Sequence, residues 1–239
     1  ADRHFGVGGD GLIVLAPSDV ADVAMLMWNA DGSRGAMCGN GVRCLAKLAY
    51  DHGHVTAEDL TVETGAGIKA VGLLFEGEAV VGARVEMGTV RVDTSPAILR
   101  LGETTYEYFG ADAGNPHAVV FVDEDPRQVP VHEIGSALQA LPEFADGINV
   151  EVVQVRADGT IMQRTFERGS GETLACGSGA TAVACTAIEL GKVAGPEVTV
   201  ELLGGRLVIR RTATTTFMEG PAHTVFCGQM AGASSESST

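Results

Sequence analysis

Met37-Cys38-Gly39-Asn40-Gly41-Val42-Arg43-Cys44 places a cysteine at the mouth of a glycine turn, directly ahead of a helical pattern. Far downstream the chain repeats the device in Ala175-Cys176-Gly177-Ser178-Gly179. After the first copy, Val42, Leu45, Ala46 and Ala49 fall at i, i+3, i+4 and i+7, one face of a helix. Arg43, Lys47 and Asp51 are predicted on another face, and Gly53 is placed to end the helix. After the second copy, residues 180–190 are apolar on nearly every side, which predicts a helix buried all round and closed by Gly191.

Around these two helices the chain reads almost entirely as strands. Short β-branched runs bounded by Gly, Pro or Asp are predicted at 22–28, 60–63, 68–75, 79–87, 90–92, 105–109 and 117–122. A second series follows at 148–155, 160–166, 198–202, 207–211, 214–218 and 224–226, with a short helix over 131–141. Leu12-Ile13-Val14-Leu15 reads as a buried strand, and no amphipathic helix follows it. The glycines at 6–11 also lack the Lys-Ser/Thr of a P-loop, so nucleotide binding is disfavoured. The second half repeats the first: strands, a glycine turn bearing Cys, a helix, more strands. That pattern predicts an α+β fold of two pseudo-symmetric domains, 1–110 and 111–228, each a mixed β-sheet rolled around a central α-helix. The polar loop 110–115 marks the junction, and the Ser/Gly/Ala-rich stretch 229–239 reads as a disordered tail.

Composition narrows the partners. With 16 Lys+Arg against 31 Asp+Glu the formal net charge is −15, which argues against nucleic acid and anionic membrane as partners. No apolar run has the length of a membrane span, and no signal-like segment opens the sequence. Five cysteines is an odd number, and none of them forms a C-x-x-C pair. Neither a zinc site nor a disulfide framework is expected, and reduced cytoplasmic thiols are.

A thiol at a helix N-terminus sits beside roughly half a positive charge and several free N–H donors. Its pKa is expected to fall from about 8.5 toward neutrality. Flanking glycines let a ligand approach the backbone, and the exposed amides can hold a carboxylate. Two such sites facing each other could remove a proton from one face of a carbon and return one to the other. The same cysteines could instead be small hydrophobes, the reading given to Cys44, Cys185 and Cys227, or could close a redox disulfide. Taken singly, Asn29 and Asn149 are surface amides, His117 a core histidine and Glu167-Arg168 a surface ion pair.

The motifs together resemble the diaminopimelate epimerases. The resemblance runs from Asp2-Arg3-His4-Phe5-Gly6 to Gly220-Pro221-Ala222. Within it lie NADGS at 29–33, MCGNGVRC at 37–44, GNPH at 114–117, INVE at 148–151 and ERGSGETLACGSG at 167–179. It implies the two-domain epimerase fold and a cofactor-independent epimerase of lysine and cell-wall precursor biosynthesis. That enzyme interconverts LL- and meso-diaminopimelate as a cytoplasmic homodimer, without metal or pyridoxal phosphate. By the resemblance Cys38 and Cys176 are the acid/base thiols, with His117 and Glu167 tuning them. Substrate contacts fall on Gly11, Asn29, Gly39, Asn40, Asn115, Asn149, Glu167, Arg168, Gly177 and Ser178. Family members open with a strand carrying a G-x-G-N-D-F-type motif, whose Asn contacts substrate and which has no counterpart in this sequence; either the sequence starts inside a longer protein or the segment is lost, and if it is lost a neighbouring strand is expected to lack its partner. Two other readings stay open: a racemase for a different amino acid, and a non-catalytic amino-acid-binding protein.

Overall fold

The computed structural model of the chain describes residues 1–2 and 4–229. The expected tail lies outside the described residues from 230 onward. The first series of elements is β1 (Gly11–Ala16), β2 (Val23–Asn29), β3 (Arg34–Gly35), α1 (Gly39–Asp51), β4 (Asp59–Thr64), β5 (Gly67–Glu76) and β6 (Ala79–Gly88). Next come β7 (Arg91–Val92), β8 (Ala97–Leu101), β9 (Thr104–Asp112), β10 (Pro116–Phe121) and α2 (Val131–Gln139). The third series is β11 (Asn149–Val155), β12 (Ile161–Glu167), β13 (Gly171–Thr173), α3 (Gly177–Glu189), β14 (Glu197–Leu202), β15 (Gly205–Arg211) and β16 (Thr216–Pro221).

The first and third series are the same device built twice. β1 lies antiparallel to β2, which carries the short β3 and runs parallel to β4; β4, β5 and β6 then follow as an antiparallel meander. β11 lies antiparallel to β12, which carries the short β13 and runs parallel to β14; β14, β15 and β16 close the second meander. In each copy the crossover between the parallel strands is the helix behind a cysteine turn, as a parallel pair requires. The two meanders meet strand to strand, β6 against β16, so one ladder runs β1-β2-β4-β5-β6-β16-β15-β14-β12-β11-β10-β9-β7.

Each helix fills the concave face of its own half. Val42, Leu45, Ala46 and Ala49 of α1 share a core with Val62, Val71 and Val85, and α3 sends Ala180, Val183, Ala184 and Ala187 among Val119, Val153, Ile161 and Ile209. Complete burial of one such aliphatic side chain is worth about 1.5–3 kcal/mol, so the helix position is set by these rows. The opposite face of the second half is covered by α2, whose Val131, Ile134 and Leu138 pack on Val120, Val150, Val152 and Phe166. That approach is close: a β-carbon on Gly135 would stand 2.4 Å from the Phe166 ring.

Several expectations need correction. The 12–15 strand forms, but Leu12 is 55% and Val14 37% exposed. β1 ends the ladder, and only its Ile13/Leu15 face packs on the core. No strand forms at 224–226. The last ladder strand ends at Pro221, which has no N–H to donate, and Ala222 makes the final bond to Val81 O at 3.0 Å. Arg43 shares its helix face with Lys47 and Asp51 but is turned inward: it is 5% exposed, while those two form an ion pair at 2.7 Å. Cys44 and Cys227 are exposed rather than buried, and only Cys185 of the three is enclosed. Gly110 and Ala111, the expected junction, continue β9.

Candidate active site

Both cysteines are N-cap residues. Cys38 precedes α1 with extended backbone at φ −133 and ψ 117, and Cys176 precedes α3 at φ −121 and ψ 114. The two first turns come together around one side chain, Met218 of β16. A β-carbon on Gly39 would stand 2.8 Å from Met218 Cε, and one on Gly177 2.9 Å from Met218 Sδ. Asn40 closes the gap from the α1 side, its Oδ1 lying 3.8 Å from the place of a Gly177 β-carbon. That oxygen is buried and has no partner among the described residues. The glycines at 39 and 177 are therefore what allows two helix N-termini, with their free N–H groups, to converge.

The Cys176 thiol is held from its own helix, accepting from the Gly179 N–H at 3.4 Å and lying 3.4 Å from Ser178 Oγ. Around it the charge is negative. Burial first, then the carboxylates of Glu151 and Glu167, push the Cys176 thiol well above the usual cysteine range, and the bonds to Ser178 and Gly179 do not offset them. The expected lowering by the helix terminus is thus overturned at Cys176, where burial and the two carboxylates prevail over the hydrogen bonds of the first turn. Glu167 is oriented by Thr173, whose hydroxyl donates to Oε1 at 2.5 Å.

His117 is completely enclosed. Its Nδ1–H donates to Glu151 Oε1 at 2.9 Å, and Nε2 lies 3.0 Å from Asn115 Oδ1. The parallel register sets His117 of β10 beside Asn149 of β11. Asn149 Nδ2 donates to Pro116 O at 3.4 Å, and its Oδ1 accepts the Arg168 N–H at 3.0 Å. The Arg168 guanidinium itself is turned outward onto Asp146 O at 2.9 Å.

The structure therefore gathers Gly39, Asn40, Gly177 and the β16 methionine between the two thiol turns. It ties His117 to Asn115 and Glu151, and Asn149 to the backbone of Pro116 and Arg168. Gly11 and Asn29 face each other across β1 and β2 at an exposed end, and Asn29 bonds within its own turn, to Ser33. Sequence reasoning missed Glu151, Thr173 and Met218. Glu151 had a signal, since it shares a strand face with Asn149 among valines; Met218 had none beyond its place in a strand.

The residue pattern of the diaminopimelate epimerase family matches 1–92 and 109–225. A relative from Desulfovibrio desulfuricans, named diaminopimelate epimerase, is 43% identical over 252 residues, covering 96% of this chain and 86% of its own. Another of that name, from Methanococcus maripaludis strain C6, is 39% identical over 244 residues, covering 96% and 87%. Among solved structures, a probable proline racemase from Agrobacterium radiobacter K84 superposes with a TM-score of 0.74 at 18% identity, covering 95% of this chain and 77% of that one. A hydroxyproline epimerase from Agrobacterium vitis superposes at 0.69 and 17% identity, covering 88% and 71%. The structural likenesses concern the fold; the extent and identity of the sequence matches show that the chain belongs to the diaminopimelate epimerase family.

Proposed function

We propose that Cys38 and Cys176 are a two-base pair that inverts one α-carbon of diaminopimelate, exchanging its LL and meso forms. Family membership makes the chain an isomerase, a diaminopimelate epimerase, and thereby an enzyme of lysine biosynthesis. The observation that carries the two-thiol reading is the convergence of the two cysteine-capped helix starts across Met218.

In this reading the halves, 1–110 and 111–228, supply one thiol each. One thiolate takes the α-proton as a new S–H bond, and the C–H electron pair moves toward the substrate carboxylate. Free N–H groups of two first turns suit the charge that develops there. The opposite thiol then gives its proton to the other face of the carbon and is left as thiolate, so the pair ends in the reversed protonation state. Each state serves one stereoisomer. Asn40 Oδ1 can accept from the substrate ammonium, and Arg168 with Gly11, Asn29, Asn115 and Asn149 can read the distal amino-acid end. The two thiols suffice for both proton transfers without metal or pyridoxal phosphate. By the family likeness the working form is a cytoplasmic homodimer.

The test is to follow the α-proton of LL-diaminopimelate by NMR in deuterated water under reducing conditions. Exchange with inversion is expected, and Cys38→Ala and Cys176→Ala should each abolish inversion. Near-normal turnover in either variant removes that residue from the pair.

A further inference from the structure

The inner face of β10, β11 and β12 changes character along its length. Val119, Val153 and Ile161 belong to the core beneath α3. Toward the first turn of α3 the same face carries His117, Glu151, Gln163 and Thr165, none more than 1% exposed. Register sets them side by side: Val119 opposite Glu151, Glu151 opposite Thr165 and Val153 opposite Gln163. Gln163 Nε2 donates to Thr165 Oγ1 at 2.8 Å, and His117 donates to Glu151 Oε1. Glu151 Oε2 and Gln163 Oε1 have no donor among the described residues.

A carboxylate enclosed with one donor is expensive, and a valine would fit this row at no such cost. Such a group persists where its charge has a use. Glu151 lies directly under the thiol turn: a β-carbon on Gly179 would stand 2.4 Å from Glu151 Oε1 and 3.2 Å from Gln163 Nε2. The Gly179 N–H is also the one that Cys176 Sγ accepts. Gly179 thus touches both the buried carboxylate and the thiol.

We infer that Glu151 is a positioning residue of the epimerisation: its buried negative charge makes Cys176 the member of the pair that carries the proton in the free enzyme. This rests on the two-thiol reading above. The other groups facing Cys176 are Glu167 from β12, which adds to the same charge, and Ser178 and Gly179 of α3, which oppose it. His117 of β10 is tied to Glu151, and Arg43 of α1 faces Cys38. Cys176 is then the donor for the stereoisomer that this state of the free enzyme serves. Its S–H bond breaks, the electron pair of the carbanion forms the new C–H bond, and the sulfur keeps its own pair as thiolate.

Glu151→Gln keeps an oxygen for His117 Nδ1–H and removes the charge. Alkylation by iodoacetamide, read peptide by peptide in a mass spectrometer across pH, reports each thiol on the full chain without substrate. The midpoint for Cys176 is expected to fall by at least about one unit, roughly tenfold faster alkylation at a fixed pH below it. The Cys38 profile is expected to stay within about twofold, since a charge effect falls with distance. An unmoved Cys176 profile in a folded Glu151→Gln protein overturns the inference, because a purely structural role would leave the midpoint where it was. Should that variant fail to fold, the wild-type protein decides. Cys176 must titrate above the exposed Cys227, and a midpoint at or below it overturns the inference. Full exchange by Cys176→Ala would instead overturn the two-thiol reading and leave the alkylation profile untouched, so the two failures are distinguishable.

Discussion

Gly177 rests against the thioether of Met218: a β-carbon there would meet Sδ at 2.9 Å and Cε at 3.3 Å. Gly39 approaches the same methionine from the other helix, at 2.8 Å from Cε. The strand that joins the two halves of the ladder therefore also sets the separation of the two thiol turns. That ties the quality of the site to packing at β16.

Gly177→Ala tests the spacing. Thioethers bend readily, so the stability cost should lie at the low end of the usual 1–3 kcal/mol for overpacking. Activity should fall more, roughly 10–100-fold, because a shift approaching 1 Å in a reacting group can cost that much. Met218→Ala alone leaves a cavity at a position 0% exposed and should cost about 2–5 kcal/mol. The double variant should cost less than the sum of the two in urea denaturation, since the clash is gone. Strict additivity would show that the methionine does not separate the helices.

Gly147 carries φ +82, and a β-carbon on it would stand 2.3 Å from Arg168 Cδ. Gly147→Ala therefore strains the backbone by about 1–3 kcal/mol and displaces the arginine. On the proposal that Arg168 reads the distal end of the substrate, KM should rise about tenfold and kcat should hold within about twofold, the pattern of lost uniform binding. Steady-state kinetics in both directions measure it. A fall in kcat at constant KM would place Arg168 at the reacting carbon instead.

Burial raises the thiols of Cys176 and Cys185 above their ordinary range. In the unfolded chain they ionise near pH 8.5. Between that value and their folded values the unfolded state has lost protons that the native state keeps, so stability falls as pH rises. The contribution is complete below about pH 8.5. Urea midpoints are expected to be level from about pH 7 to 8 and to decline through 9 and 10. Cys176→Ser should flatten part of that decline, and an identical slope would contradict the assignment.

Both thiol turns, their helices and the order of the repeat were legible because glycine spacing and helical periodicity are local signals. What depended on distant chain was not. Arg43 shares a helix face with Lys47 by position, yet it turns inward because Gly220 of β16 has no side chain there. A β-carbon on Gly220 would stand 3.0 Å from Arg43 Cζ. Leu12 read as buried because an apolar run does not reveal whether its strand ends a sheet. Glu151 was visible as a polar residue out of pattern, but its meaning comes from His117 and Gly179, which only pairing register brings to it.

Arg43 also yields the last prediction. Its guanidinium donates weakly, to Pro221 O and Gly39 O at 3.4 Å and to Met218 Sδ at 3.7 Å. No carboxylate partners it among the described residues, and burial lowers its pKa against the opposing pull of Cys44 and Cys38. A lone enclosed cation adds little to stability, and an apolar residue of similar volume is often neutral or better. Arg43→Met should therefore leave the urea midpoint unchanged or raise it slightly. The charge is different in kind: it lies beside the Cys38 turn, where the proposed two-thiol mechanism requires anionic sulfur. Removing it should lower kcat/KM about tenfold, about 1.4 kcal/mol of transition-state stabilisation. Arg43→Lys, which keeps charge but not the fork, should recover part of that loss. Full activity in a stable Arg43→Met protein would reduce Arg43 to a packing residue between α1 and β16.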